Sequence, residues 1–166
     1  KIFGELMMLI EADKRGPNHQ IALTYSKKEE RFYVPKNVHL IGTMNTADRS
    51  LSIVDYALRR RFSFINLVPN FNNKFEAFLT KKGISKKVNS SIVSKINSLN
   101  EEIVNDDSLG DGFKIGHSYF CNTPKNKAKE KEWLSDIMNF EISPILNEYW
   151  FDNKDKAESL IENLNS

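Results

Sequence analysis

Cysteine is almost missing from this chain. Cys121 stands alone, which excludes an internal disulfide framework and fits a reducing compartment. Long apolar runs are missing too; none approaches the roughly 18 residues of a membrane-crossing helix, and no secretory leader pattern is present. These absences predict a cytoplasmic globular protein without membrane contact. A net charge of +2 is too small to argue for nucleic acid or lipid. No Gly-Lys-Ser or Gly-Lys-Thr occurs, so the loop whose backbone amides cradle phosphates is not here. Gly110, Gly112 and Gly116 do not form G-x-G-x-x-G and follow no strand, so a dinucleotide site is rejected. His117 and Cys121, four apart, fall short of the three or four ligands zinc takes, so no metal is expected. The lysines from Lys81 to Lys87 and from Lys125 to Lys131 are not interleaved with aromatics, which argues against stacking on nucleic-acid bases. No Ser–His–Asp, Cys–His or paired-carboxylate arrangement stands out.

What the chain does have is concentrated in Gly42–Phe62, GTMNTADRSLSIVDYALRRRF. The run Val38-His39-Leu40-Ile41 before it reads as a short buried strand. A polar loop, Thr43 to Ser50, follows. Leu51, Val54, Ala57 and Leu58 are then spaced for one buried helical face. The helix closes on Arg59-Arg60-Arg61, and Phe62–Leu67 reads as another strand. Strand, loop, helix, strand predicts a βαβ unit, whose ligands sit at the carboxyl ends of the strands. Asn45, Asp48 and Arg49 occupy that end. An amide, a carboxylate and a guanidinium there could orient a water and balance phosphate charge.

Upstream, Ile2, Phe3, Leu6, Met7, Leu9 and Ile10 predict a mostly buried helix within Lys1–Asp13. Alternation at Ile21, Leu23, Tyr25 and again at Phe32, Val34, around the loop Ser26–Glu30, predicts a hairpin. After Val68-Pro69-Asn70 the chain reads as helical. Helices are expected at Lys74–Lys81, at Ser85–Val104 with Val88, Ile92, Ile96, Leu99 and Ile103 on one face, and at Asp155–Leu164. Trp133–Met138 and Ile142–Tyr149 form one helix or two, with Pro144 as start or kink.

MNTADRS followed by VDYALRRRF resembles the segment after the nucleotide-binding motifs of McrB-type proteins, the GTPase subunits of modified-cytosine-specific restriction systems. Those belong to the AAA+ class of ring-forming motors, in its dynein-related branch. The likeness runs collinearly from KIFGELMMLIEADKRG to GFKIGHSYF and the final helices. It implies an α/β fold, a truncated P-loop AAA+ core with a β-hairpin insertion (about 20–35), over residues 1–69. An all-α lid subdomain over 70–166 would follow. In the family the phosphate-cradling loop and the magnesium-holding Asp-Glu pair precede KIFGELMMLIE. Ser52-Ile53-Val54-Asp55 only mimics that pair, inside a predicted helix. The expectation is a C-terminal part that finishes the chemistry without holding the nucleotide, inactive by itself.

The resemblance also implies roles. Asn45 corresponds to the first sensor, orienting the attacking water; the competing reading is an Asn bonding its own turn. Asp48 cooperates on that water or caps the helix, although Ser50 is better placed for capping. Arg49 contacts phosphate or pairs with Asp55. Cations at a helix end meet a favourable dipole, but three adjacent guanidiniums repel one another unless an anion meets them. A neighbouring subunit's nucleotide is such an anion, which makes Arg60, with Arg61 next to it, the arginine finger. Lys114 is a second phosphate sensor or part of a packed segment. The implied cofactors are GTP, or ATP, with Mg2+ in the intact parent. The implied partners are further copies in a ring of about six, an McrC-like endonuclease subunit, and DNA through a domain not in this chain. Two alternatives remain open: an ATP-driven remodeller of the dynein-related branch, and a non-catalytic interaction adaptor.

Overall fold

The computed structural model describes residues 4–23, 30–45 and 56–166, and their contacts separate into two units, Lys1–Asn66 and Leu67–Ser166. The first unit opens with helix α1, Gly4–Leu9. Residues 1–3 of the expected helix lie outside the described residues, and its other end comes at Leu9 rather than Asp13 because Glu11 is already extended, at φ −61° and ψ 139°. Short 3-10 turns at Ala12–Lys14 and Pro17–His19 continue the chain. Gly16 between them has φ 109°, a left-handed conformation that glycine alone adopts readily. Its N–H bonds to Val34 O at 3.0 Å.

The hairpin is present as two short antiparallel strands, β1 (Ile21–Ala22) and β2 (Arg31–Phe32), with Ile21 opposite Phe32 and Ala22 opposite Arg31. Tyr25 and most of the Ser26–Glu30 loop lie outside the described residues, as do Leu51 and Val54 of the predicted helix. The described remainder of that helix is α2, Tyr56–Arg59.

Among the described residues the expected βαβ unit is not formed. Val38–Ile41 and Phe62–Leu67 are irregular, and Ile41, Ile65 and Leu67 are 93%, 83% and 92% exposed. The α/β class therefore holds here only as a two-stranded sheet among helices. The reason lies in the backbone: a helix bonds to itself, whereas a strand exists only beside another. Among the described residues no strand lies alongside either run.

The second unit is helical, and its elements follow the predicted periodicity. Helix α3, Asn73–Lys81, starts on Asn72, whose side chain accepts the N–H groups of Lys74 and Phe75. It ends with Ile84 N–H on Leu79 O and Gly83 N–H on Thr80 O, an arrangement that requires a left-handed residue at Gly83, where φ is 96°. Helix α4, Lys86–Val104, is capped by Ser85 and buries Val88, Ile92, Ile96, Leu99 and Ile103. Helix α5 (Glu130–Asp136), a π-helical segment (Ile137–Ile142) and helix α6 (Ser143–Tyr149) run on without a break. Pro144 stands at the start of α6, in its first turn, as one of the two expectations had it, but the start follows a π turn rather than a loop. Its ring would meet the carbonyl four residues earlier in an α-helix. The wider π turn accommodates it, with Ser143 N–H and Oγ both donating to Met138 O. Helix α7, Lys154–Asn165, closes the unit, capped by Asn153. A single cluster runs through α3, α4, the π segment, α6 and α7, including Leu79, Ile96, Phe120, Ile142, Leu146 and Leu164, with Trp133 and Leu134 of α5 packed against it.

Candidate functional site

Asn45, expected at the carboxyl end of a Val38–Ile41 strand, instead follows an irregular run and is exposed in irregular backbone. Asp48 and Arg49 lie outside the described residues. The run is tethered at its start: Arg15 Nη1 donates to Val38 O, while its Nε and Nη2 donate to Ile10 O at 3.2 and 3.1 Å.

The three arginines that close α2 differ in environment. Arg59 and Arg60 are exposed. The Arg61 side chain is 13% exposed, and its Nη2 lies 2.5 Å from Glu11 Oε1. At the α2 end Leu58 O accepts the N–H groups of Arg61 and Phe62 at 3.0 and 3.1 Å. Arg61 is partly buried and pairs with Glu11, whereas Arg60 is exposed.

In the second unit Lys114 pairs with Asp111 at 2.5 Å. The backbone around it is held from two directions. Asn100 on α4 is 6% exposed; its Oδ1 accepts Ile115 N–H at 2.7 Å and its Nδ2 donates to Ile115 O at 3.1 Å. Tyr149 Oη donates to Phe113 O at 3.0 Å, and burial raises the Tyr149 phenol above its ordinary pKa. Lys114 thus sits between two clamped residues, while Ile115 and Phe120 are core, as the packing reading requires. The sequence reading missed Asn100, although a polar residue in the apolar stripe, four after Ile96 and three before Ile103, was a signal for it. Glu11 and Arg15 gave no local signal, since their partners are distant in sequence.

His117 is occupied structurally. Its Nδ1 accepts Asn70 N–H at 3.2 Å, and its ring meets Phe71 and Phe75 edge-on at 6.2 and 6.1 Å. Cys121 Sγ contacts His117 O at 3.4 Å. Among the described residues no group of three or more His, Cys, Asp or Glu side chains could hold a metal ion, and no helix is long and apolar enough to cross a membrane. Glu130 takes another structural part: it accepts Ser85 N–H at 2.8 Å, and that bond holds its carboxyl below the ordinary pKa.

Residues 1–62 match the AAA domain of the dynein-related subfamily, so the first unit carries sequence of the AAA+ class. Residues 91–158 match the alpha-helical lid domain of McrB. The chain is 51% identical over 162 residues to the type IV methyl-directed restriction enzyme EcoKMcrB subunit of Escherichia coli (strain K12), an alignment covering 95% of this chain and 35% of that protein. The chain belongs to the McrB-type AAA+ family, of whose AAA+ module it carries a C-terminal part. It spans about a third of the length of the relative it matches.

Proposed function

We propose that this chain is the sensor-, finger- and lid-bearing part of a nucleoside-triphosphate-hydrolysing subunit in a McrBC-like, DNA-translocating restriction system. The observation that supports it most is the 51% identity running through both the AAA+ segment and the lid. On this reading residues 1–69 complete the AAA+ core and 70–166 form the lid. Asn45 orients the attacking water with help from Asp48. Arg49 and Lys114 contact phosphate, and Arg60, with Arg61 beside it, faces the nucleotide of a neighbouring subunit in a hexameric ring. The exposure of Arg60 suits that role, because a finger acting in trans must leave its own subunit.

The described residues fit phosphate better than magnesium. They offer an amide and cations, and among them no group of three or more His, Cys, Asp or Glu that could hold a metal ion; the cofactor proposed for the intact parent is GTP, or ATP, with Mg2+. An McrC-like endonuclease subunit and DNA complete the proposed assembly, in the cytoplasm. The test is a mixture of two inactive full-length proteins, an Arg60→Ala variant and a variant of the phosphate-loop lysine. The first keeps its own pocket and the second keeps its finger, so turnover well above the summed backgrounds is expected. No recovery, with assembly confirmed by sedimentation, would return Arg60 to a surface role.

A further inference from the structure

We infer that Glu11 is a positioning residue for the end of α2, holding Arg61 as an internal strut so that Arg60 is presented in a fixed direction. The inference rests on the proposed finger role of Arg60. Three observations carry it. The Glu11–Arg61 pair is close, at 2.5 Å, and partly shielded, with side chains 32% and 13% exposed. Shielding strengthens a charge pair and makes the loss of one partner costly, unlike a pair fully in water. Glu11 is also itself anchored. The carbonyl of the preceding residue, Ile10, accepts two bonds from Arg15, whose third contact is Val38 O. One junction therefore joins the end of α1, the start of the run leading to Asn45, and the end of α2.

The third observation is the contrast between neighbours. Arg61 is shielded and Arg60 exposed, so adjacent residues of one charge serve opposite surroundings. Neutralising Arg61 from within the unit relieves repulsion in the cluster. It also fixes the Cα next to Arg60. Arg61 then acts through Arg60 rather than on phosphate, which divides the two roles that the sequence left together.

The experiment uses the full-length protein and measures kcat and KM for nucleotide in assembled rings. Glu11→Gln and Arg61→Gln are each expected to lower kcat by about ten- to a hundred-fold, the scale of a misplaced catalytic group. KM should stay nearly constant, because the variants' own pockets are intact. The exchange Glu11→Arg with Arg61→Glu restores the pair and should recover most of the lost kcat. If Glu11→Gln does not assemble, Glu11→Asp, which keeps the charge but shortens the reach, takes its place. An unchanged kcat in the single variants, a loss confined to KM, or an exchange no better than its worse single variant would overturn the positioning role. Arg60→Ala measured alongside separates the two failures. If it is dead while Glu11→Gln is unaffected, only the positioning role falls. If it is fully active, the finger reading fails first.

Discussion

The two units hold comparable apolar material and use it differently. In Leu67–Ser166 one cluster buries eighteen residues, from Phe71 to Leu164. In the described part of Lys1–Asn66 the buried hydrophobics are Leu9 and Val34, while Leu40, Ile41, Phe64 and Ile65 stand exposed. Hydrophobicity is therefore not what separates them. A helix closes its own hydrogen bonds within a few residues, so an amphipathic helical segment brings a finished backbone to the core. A strand brings unfinished N–H and C=O groups, and its apolar side chains can be buried only after a neighbour completes the ladder.

The contrast can be broken most directly by separating the units. Residues 67–166 made alone should unfold in one cooperative urea transition followed by circular dichroism. Residues 1–66 made alone should show no cooperative transition and should bind a dye that reports exposed apolar surface. A sharp transition in 1–66 would mean that the exposed runs find their own partners, and the account of the missing ladder would fail.

Single substitutions sharpen the same comparison. Ile96, on α4, is fully buried, and Ile41 is 93% exposed. Ile96→Ala should cost about 2–5 kcal/mol, because it leaves a cavity among fixed helices. Ile41→Ala should stay within about 0.5 kcal/mol, as surface changes do. Urea midpoints of the whole chain, read at a constant slope, check both. A comparable cost at both positions would show that the Val38–Ile41 run is buried in solution.

The same division explains what could be read from the amino acids alone. Helices α3, α4 and α7 were legible from spacing and caps, because their determinants lie within a few residues of one another. The π segment before Pro144 was not, since periodicity shows that a proline interrupts but not how the turn widens. Val38–Ile41 and Phe62–Leu67 read as strands on composition, yet pairing is non-local and nothing in their own residues supplies it. In the candidate site, the motif pointed to Asn45 and the arginine cluster. The difference between Arg60 and Arg61 emerged only with Glu11, which reaches α2 through the fold. Asp48 and Arg49 remain outside the described residues.

A smaller effect than that of Ile96→Ala concerns acid. In the second unit Asp106 accepts Trp150 Nε1 at 2.7 Å, Lys156 Nζ at 2.8 Å and Ser108 Oγ at 2.6 Å. Lys156 also lies over the Trp150 ring, 4.9 Å from its centre. These partners, Lys156 first and then Ser108 and Trp150, hold the Asp106 carboxyl far below its ordinary value of 3.8. A carboxyl with a depressed pKa binds fewer protons folded than unfolded. Its contribution is then fully present above about pH 4 and is lost as pH falls below that. In the first unit Asp13 is also shifted down, by Lys14. That pair is 69% and 38% exposed, so solvent and salt screen it and little stability is tied to it. Asp106→Asn keeps the shape, still accepts one bond and removes the charge. It should cost about 1.5–3 kcal/mol at neutral pH, the scale of a hydrogen bond to a charged group. It should also flatten the loss of stability between pH 4 and 2. Urea midpoints of both proteins across that range make the measurement, and an Asp106→Asn curve parallel to the parent's would place the acid sensitivity elsewhere.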